Sequence, residues 1–242
     1  MKAVFFDVDF TLIYPGPTFD GGGYTRFAAR HGVQVDASLF DTAVGTASVE
    51  LDHAQDTIYR SEPFIRYAKR VLREMGGDGP GVEPCAREIY DEGAACHHFA
   101  LYDDVVETLR WLHTAGYRIG LISNTHRCLA SFQRHFELAP FITAAVSSSV
   151  HGFLKPHPSI FRAALDLAGV EPEDGVMVGD SVTHDIEGAR QVGMRAVLLT
   201  RSGEPSAAVV GVPVIRSLVE LPGLLRLEAG GARCGDGIGV AR

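Results

Sequence analysis

Val4, Phe5 and Phe6 form an unbroken apolar run, and two carboxylates, Asp7 and Asp9, follow it at once. A run of β-formers that is continuous rather than alternating predicts a strand buried on both faces, and hence a parallel sheet covered on either side by helices. Pro15, Gly16 and Pro17 then break the regular structure. In such sheets, ligands collect outside the carboxyl ends of the strands. Two acids there need a cation or a ligand close by, because an unpaired buried carboxylate is costly.

The later part of the chain has the rhythm this first strand demands. From Asp103 onward, helix, glycine and strand alternate. Asp103 or Asp104 is placed to cap a helix carrying Val105, Val106, Leu109 and Leu112 on one face, with Gly116 at its end. Strands are predicted over 117–122, 144–147, 176–178 and 196–199. Helices are predicted over 127–136, through Ile160 to Ala168 with Gly169 as terminator, and through Ile186 to Val192. Short links between alternating elements predict an α/β fold with a parallel core sheet.

Residues 18–100 differ in character. Ser61-Glu62-Pro63 reads as N-cap, first-turn acid and first-turn proline, followed by Ile65, Ala68, Val71, Leu72 and Met75 at helical intervals. A helix over 24–31 precedes it, and one from Pro84 carries Ile89 and Cys96. No strand is predicted in this block, which reads as an inserted helical subdomain. Gly45 with Thr42, Thr46 and Ser48 reads as a turn able to face a ligand. The glycine-rich tail, 228–242, is predicted to be disordered.

Composition narrows the function. A net charge of -8 without a basic stripe argues against nucleic acid as partner. No apolar run approaches the roughly 18 residues a membrane span needs. Cys85, Cys96, Cys128 and Cys234 have neither metal spacing nor the density of a disulfide framework, which predicts a reducing, cytoplasmic setting. Nothing in the sequence commits the chain to an oligomeric state.

The chemistry sits at four predicted strand ends. The first carries Asp7 and Asp9, and the second Ser123-Asn124-Thr125. The loop after the third carries Lys155-Pro156, and the fourth ends in Gly179-Asp180-Ser181 with Asp185 just beyond. In a parallel sheet these ends share one edge, so acids, a hydroxyl and an amine converge. In this order, Asp7-Val8-Asp9-Phe10-Thr11, Ser123-Asn124, Lys155-Pro156 and Gly179-Asp180 with Asp185 resemble the four motifs of the haloacid dehalogenase superfamily. The family usually has glycine where this chain has Phe10.

That resemblance implies a Rossmann-like core over 1–16 and 101–227, with a helical cap of the C1 type over 17–100. It implies a phosphohydrolase acting on a small phosphorylated metabolite. Asp7 would be the nucleophile, forming an aspartyl-phosphate, and Asp9 the general acid and base. Mg²⁺ would be held by Asp7, the backbone carbonyl of Asp9 and Asp180. Lys155, Ser123, backbone N–H groups near Asn124 at a helix start, and Thr11 would serve the phosphate, Thr11 bonding near Asp7. Asp185 would orient Lys155 or the metal's waters.

Simpler roles fit some of these residues. Ser123-Asn124 suits a helix cap, and Asp185 a first-turn acid favoured by the helix dipole. The adjacent His97 and His98 would point to different sides of a helix, so a structural or surface role is expected for them, as for His126, His157 and His184. Sugar-phosphate mutases share the four motifs. Haloacid dehalogenases of the family lack an acid at the position of Asp9. A phospho-accepting receiver module combines similar groups, but with its acceptor on a middle strand and in about half this length.

Overall fold

The computed structural model describes residues 1–52, 57–201 and 210–231, with the backbone alone at 52 and 227–231. In chain order the strands are β1 (Ala3–Phe6), β2 (Ile13–Pro15), β3 (Phe99–Leu101), β4 (Arg118–Ser123), β5 (Ile142–Ser147), β6 (Gly175–Gly179), β7 (Arg195–Leu199) and β8 (Val214–Ile215). Six of them form one sheet in the order β5-β4-β1-β6-β7-β8, and every pairing in it is parallel.

All four residues of β1 are buried, and they alternate between two cores. Val4 and Phe6 pack with Leu109, Leu112, Phe132 and Leu221 on one face. Ala3 and Phe5 pack with Ile160, Phe161, Leu165 and Ile186 on the other. This is why the run has no polar member: a strand covered on both sides has no wet face. The chain moves outward from β1 through β4 to β5, then returns to the other side of β1 for β6. The order therefore reverses beside β1, and a parallel sheet opens its ligand crevice at such a point.

The helices Gly21–Arg30, Phe40–Ala47, Glu62–Glu74 and Val82–Glu92 build a third cluster around Tyr24, Phe27, Ile65, Leu72, Met75 and Ile89. Pro63 lies in the first turn of Glu62–Glu74 as anticipated, but the Ser61 side chain makes no capping bond. Cys96 is outside the Val82–Glu92 helix, in a separate 3₁₀ turn. Gly45 lies within Phe40–Ala47 rather than in a turn. Its neighbours' hydroxyls bond the local backbone, Thr46 Oγ1 to Thr42 O and Ser48 Oγ to Gly45 O.

Strands do flank this helical block. β2 and β3 pair antiparallel, with Ile13 opposite Leu101 and Pro15 opposite Phe99, and form a two-stranded stem. Three-residue strands are too short to show a period of two. At the other end of the chain, β8 and a helix Leu221–Gly231 were not anticipated. Ser217 and Glu220 form a capping box ahead of that helix, and Leu221 and Leu225 are buried. The helix therefore continues through 228–231, where disorder was expected. The remainder of the predicted tail, 232–242, lies outside the described residues.

One ion pair knots the chain ends to the sheet edge. Arg201 Nη1 and Nη2 donate to the two Asp104 oxygens at 3.1 and 2.9 Å, and Nη2 also donates to Thr11 O at 2.7 Å. Asp104 further accepts from Ser217 Oγ at 2.6 Å and Leu218 N at 2.8 Å, so it joins distant segments instead of capping its own helix. Burial alone would push its carboxyl up, but Arg201, Ser217 and the Leu218 N–H outweigh that and hold it below the usual carboxylate range. Its contribution is thus full above the unfolded value of about 3.9 and fades as pH falls through the folded one. Asp104→Ala should cost about 3 kcal/mol in urea unfolding at pH 7, because it leaves a largely buried guanidinium without its counter-charge. The gap to wild type should narrow towards pH 3.

Candidate active site

Asp7 leaves β1 with its N–H bonded to Val178 O of β6 at 3.0 Å, and its carboxyl turns into the crevice. Lys155 reaches it from the loop beyond β5. The Lys155 Nζ donates to Asp7 Oδ1 at 2.5 Å and to Asp185 Oδ1 at 2.6 Å, and the lysine is 2% exposed. Asn124, at the end of β4, fixes that loop from both sides. Its Oδ1 accepts from Lys155 N at 2.7 Å, and its Nδ2 donates to Lys155 O at 3.1 Å. The approach to the following helical block also touches this loop, with Leu154 N bonded to Thr57 O and Tyr59 N to Gly152 O.

Asp180 stands at the end of β6, and Asp185 on a short π-helical turn, Val182–Glu187. Oxygens of Asp7, Asp180 and Asp185 all lie within 4.8 Å of one another. Asp185 Oδ2 also accepts from Ser181 N at 3.1 Å. Gly179 makes this crowding possible, since a Cβ there would lie 2.3 Å from the Asp185 carboxyl carbon.

Three carboxylates here face one ammonium. Burial first, then Asp185 and Asp180, push Asp7 well above the usual carboxylate range against the pull of Lys155. Burial works against the charge on Lys155, but Asp185 and Asp7 more than compensate and raise it. Asp180 is an exposed residue, yet lost solvent around its carboxyl and the charge of Asp185 push it up to about 6. The excess negative charge and the all-oxygen donor set fit a hard divalent cation. Asp185 already uses one oxygen on Lys155 and the other on the Ser181 N–H, whereas Lys155 takes up only Oδ1 of Asp7, so Asp7 and Asp180 are better placed to offer an oxygen to a cation.

The remaining predicted residues divide. Ser123 Oγ is buried with no partner among the described residues, and such an orphan costs about 1–3 kcal/mol until an acceptor or donor reaches it. The Thr11 hydroxyl faces Asp180 Oδ1 at 3.5 Å, a long contact, rather than Asp7. Ser123-Asn124 is not at a helix start, because the next helix is Leu129–His135. Asp9 is held by Arg127, whose Nη1 lies 3.2 Å from both carboxylate oxygens. Arg127 is 3% exposed, donates from Nη2 to Gly93 O at 3.0 Å, and lies 4.1 Å over the Phe99 ring. Sequence reasoning missed this residue by assigning it to a helix. The signal was its place four residues beyond Ser123, in the loop of a strand end.

Phe10 adopts φ 61, a left-handed conformation that costs a non-glycine residue about 1 kcal/mol, and the residue is 55% exposed. Glycine's usual presence at this position thus has a conformational reason. Of the histidines, His98 bonds Thr18 and Glu92, and His157 caps its helix. His126 stacks on Tyr90 at 4.0 Å and is held neutral mainly by burial. The rings of His97 and His98 lie 4.0 Å apart in a 3₁₀ turn, so the pair does not point to different sides as expected. A cavity of about 400 Å³ opens beside Asp9 and Arg127, between the sheet edge and the helices of residues 21–92.

The sequence profile of the family described as haloacid dehalogenase-like hydrolase matches residues 1–193, which include every strand end above. The chain belongs to this family. It is 32% identical over 234 residues to phosphoglycolate phosphatase 1 of Pseudomonas aeruginosa, covering 91% of this chain and 78% of that one. It is 30% identical over 218 residues to a glyceraldehyde 3-phosphate phosphatase of Methanothermobacter thermautotrophicus, covering 82% and 85%. A solved 2-haloacid dehalogenase of Pseudomonas syringae pv. Tomato DC3000 superposes with a TM-score of 0.62 at 26% identity, covering 94% of this chain and 99% of that one.

In this hydrolase the approach of Asp185 to Gly179 supports the whole cluster, and Asp185 cannot retreat without leaving both Lys155 and the Ser181 N–H. Gly179→Ala should therefore lower stability in urea unfolding by about 1–3 kcal/mol.

Proposed function

We propose that this hydrolase is a Mg²⁺-dependent phosphatase that cleaves a phosphomonoester through an aspartyl-phosphate on Asp7. The observation that carries this reading is the buried Lys155 ammonium between Asp7 and Asp185, with Asp180 beside them and a buried Ser123 hydroxyl that has no hydrogen-bond partner among the described residues. The helices of residues 17–100 act as a cap over that crevice. The free Cys85, Cys96 and Cys128 suit a reducing cytoplasm.

A phosphomonoester repels an anionic nucleophile. Lys155 offsets that repulsion at the phosphate oxygens while keeping Asp7 in place, and the Ser123 hydroxyl donates to another of those oxygens. An Asp7 oxygen bonds to phosphorus as the ester P–O bond breaks, and Asp9 gives its proton to the departing alkoxide. Water then attacks phosphorus, Asp9 takes its proton, and the Asp7–phosphorus bond breaks to release phosphate. Arg127 fixes the direction of the Asp9 carboxyl. Asn124 positions Lys155 through its peptide group, Asp185 orients the ammonium, and Thr11 steadies Asp180. Asp7, the backbone carbonyl of Asp9 and Asp180 would hold Mg²⁺, which when bound supplies positive charge against the phosphate.

Asp9 separates this reading from carbon–halogen cleavage, since a departing halide needs no proton. Asp7→Asn should lower phosphate release by about a thousandfold or more while circular dichroism and melting stay near wild type. An active Asp7→Asn protein would remove Asp7 as nucleophile. EDTA should silence the wild-type enzyme and added Mg²⁺ restore it; full activity in excess chelator would overturn the metal requirement.

A further inference from the structure

The cavity beside the site has a chemistry of its own. Phe10, Phe19, Phe64, Tyr67, Tyr90 and Phe99 line it, and its only formal charges among the described lining residues are Asp9 and Arg127. Those two are paired with each other at 3.2 Å, and Arg127 spends Nη2 on Gly93 O. His126, also in the wall, is kept neutral by burial, and the Tyr90 hydroxyl is already bonded to Tyr59 at 2.5 Å. Arg127 Nε has no hydrogen-bond partner among the described residues, but the charge of the guanidinium is already met by Asp9, so a ligand carboxylate would find no cation there without an acid on it.

Position matters as much as composition. Asp9 lines the cavity, whereas Asp7, Lys155 and Asp180 do not. If Asp9 protonates the departing oxygen, the cavity lies on the leaving-group side and the charged cluster on the phosphate side. Its volume, about 400 Å³, is within the roughly 300–1,000 Å³ typical of pockets that enclose organic ligands. Phe64 and Tyr67 stand three apart on one helix and face it half-buried, while Ile65 turns into the core. Phe10 is an independent sign. A ring is kept in a strained left-handed conformation, more than half exposed, where it forms part of this wall.

We infer that the organic part of the substrate is large and apolar, an aryl or comparable hydrocarbon group, and not the two- or three-carbon polar moiety on which the phosphatase relatives named above act. This rests on the phosphatase reading, with Asp9 on the leaving-group side.

Esters of primary alcohols keep the departing oxygen comparable, so ethyl phosphate, phosphoglycolate, benzyl phosphate and 2-naphthylmethyl phosphate isolate the effect of the wall. The naphthylmethyl ester should exceed ethyl phosphate and phosphoglycolate in kcat/KM by about tenfold or more, about 1.4 kcal/mol. In Phe10→Gly and in Phe64→Ala, the naphthylmethyl-to-ethyl ratio should fall by at least about threefold, chiefly through KM. Phosphoglycolate turned over as well as the naphthylmethyl ester, or a ratio unmoved in both variants, would overturn the inference. Calorimetry with the inert 2-naphthylmethylphosphonate and ethylphosphonate, in Mg²⁺ buffer, keeps the two readings apart. Preferential binding of the naphthyl compound without turnover of any ester would sink the phosphatase reading and retain the apolar site. Equal binding of the two would sink the apolar site whatever the turnover.

Discussion

A buried ammonium between two carboxylates organises this molecule. Lys155 is nearly inaccessible, and moving its charge out of water would cost several kcal/mol if Asp7 and Asp185 did not each accept a hydrogen bond from it. The same lysine keeps the carboxylates tolerable, since Asp7, Asp180 and Asp185 would otherwise repel one another across less than 5 Å. Neither side is stable alone. Asn124 clamps both backbone groups of the lysine, and Gly179 leaves the space that Asp185 fills. One interaction thereby ties the ends of β1, β4 and β6 to the loop after β5.

The parallel sheet is what lets four remote segments meet. Strand order reverses beside β1, so Asp7 has β4 on one side and β6 on the other, and their carboxyl ends open on the same crevice. Burial of β1 on both faces explains both its apolar run and its central place. The functional groups begin only where the run ends, because there the backbone first leaves the two cores.

What the sequence made legible follows from this. A strand without a wet face announces itself as an uninterrupted apolar run, and so β1 and β6 could be read directly, with their acids. Glycine terminators marked helix ends at Gly116 and Gly169, both of which take positive φ. Elements whose stability comes from remote partners left no local trace. β2 and β3 exist because each supplies the other's hydrogen bonds over an interval of more than eighty residues. The last helix is held by Leu221 and Leu225 and by a capping box, although its glycine content suggests disorder. Arg127 was hidden for a related reason: its role depends on Asp9, Gly93 and Phe99, none of which is its neighbour in sequence.

The site also separates charge from apolar surface. On one side of Asp9 lie Asp7, Lys155, Asp180 and Asp185, where a cation and an anion can neutralise one another. On the other lies a wall of rings in which the one ion pair among the described residues is already closed by Arg127. Groups that act on a phosphate must stay fixed for any ester, whereas the part of the wall carried by the helices, Phe64, Tyr67 and Tyr90 among it, can change without disturbing them, because those helices have their own core. Phe10 differs from these, since it sits one residue beyond Asp9 in the turn after β1. Its strained backbone can persist because Phe10 N donates to Ile13 O at 2.7 Å and Leu12 and Ile13 are fully buried, so the turn is over-determined by groups on both sides of it. A change at that single position therefore couples the two halves of the site: it alters the wall through the ring and the turn after Asp9 through φ.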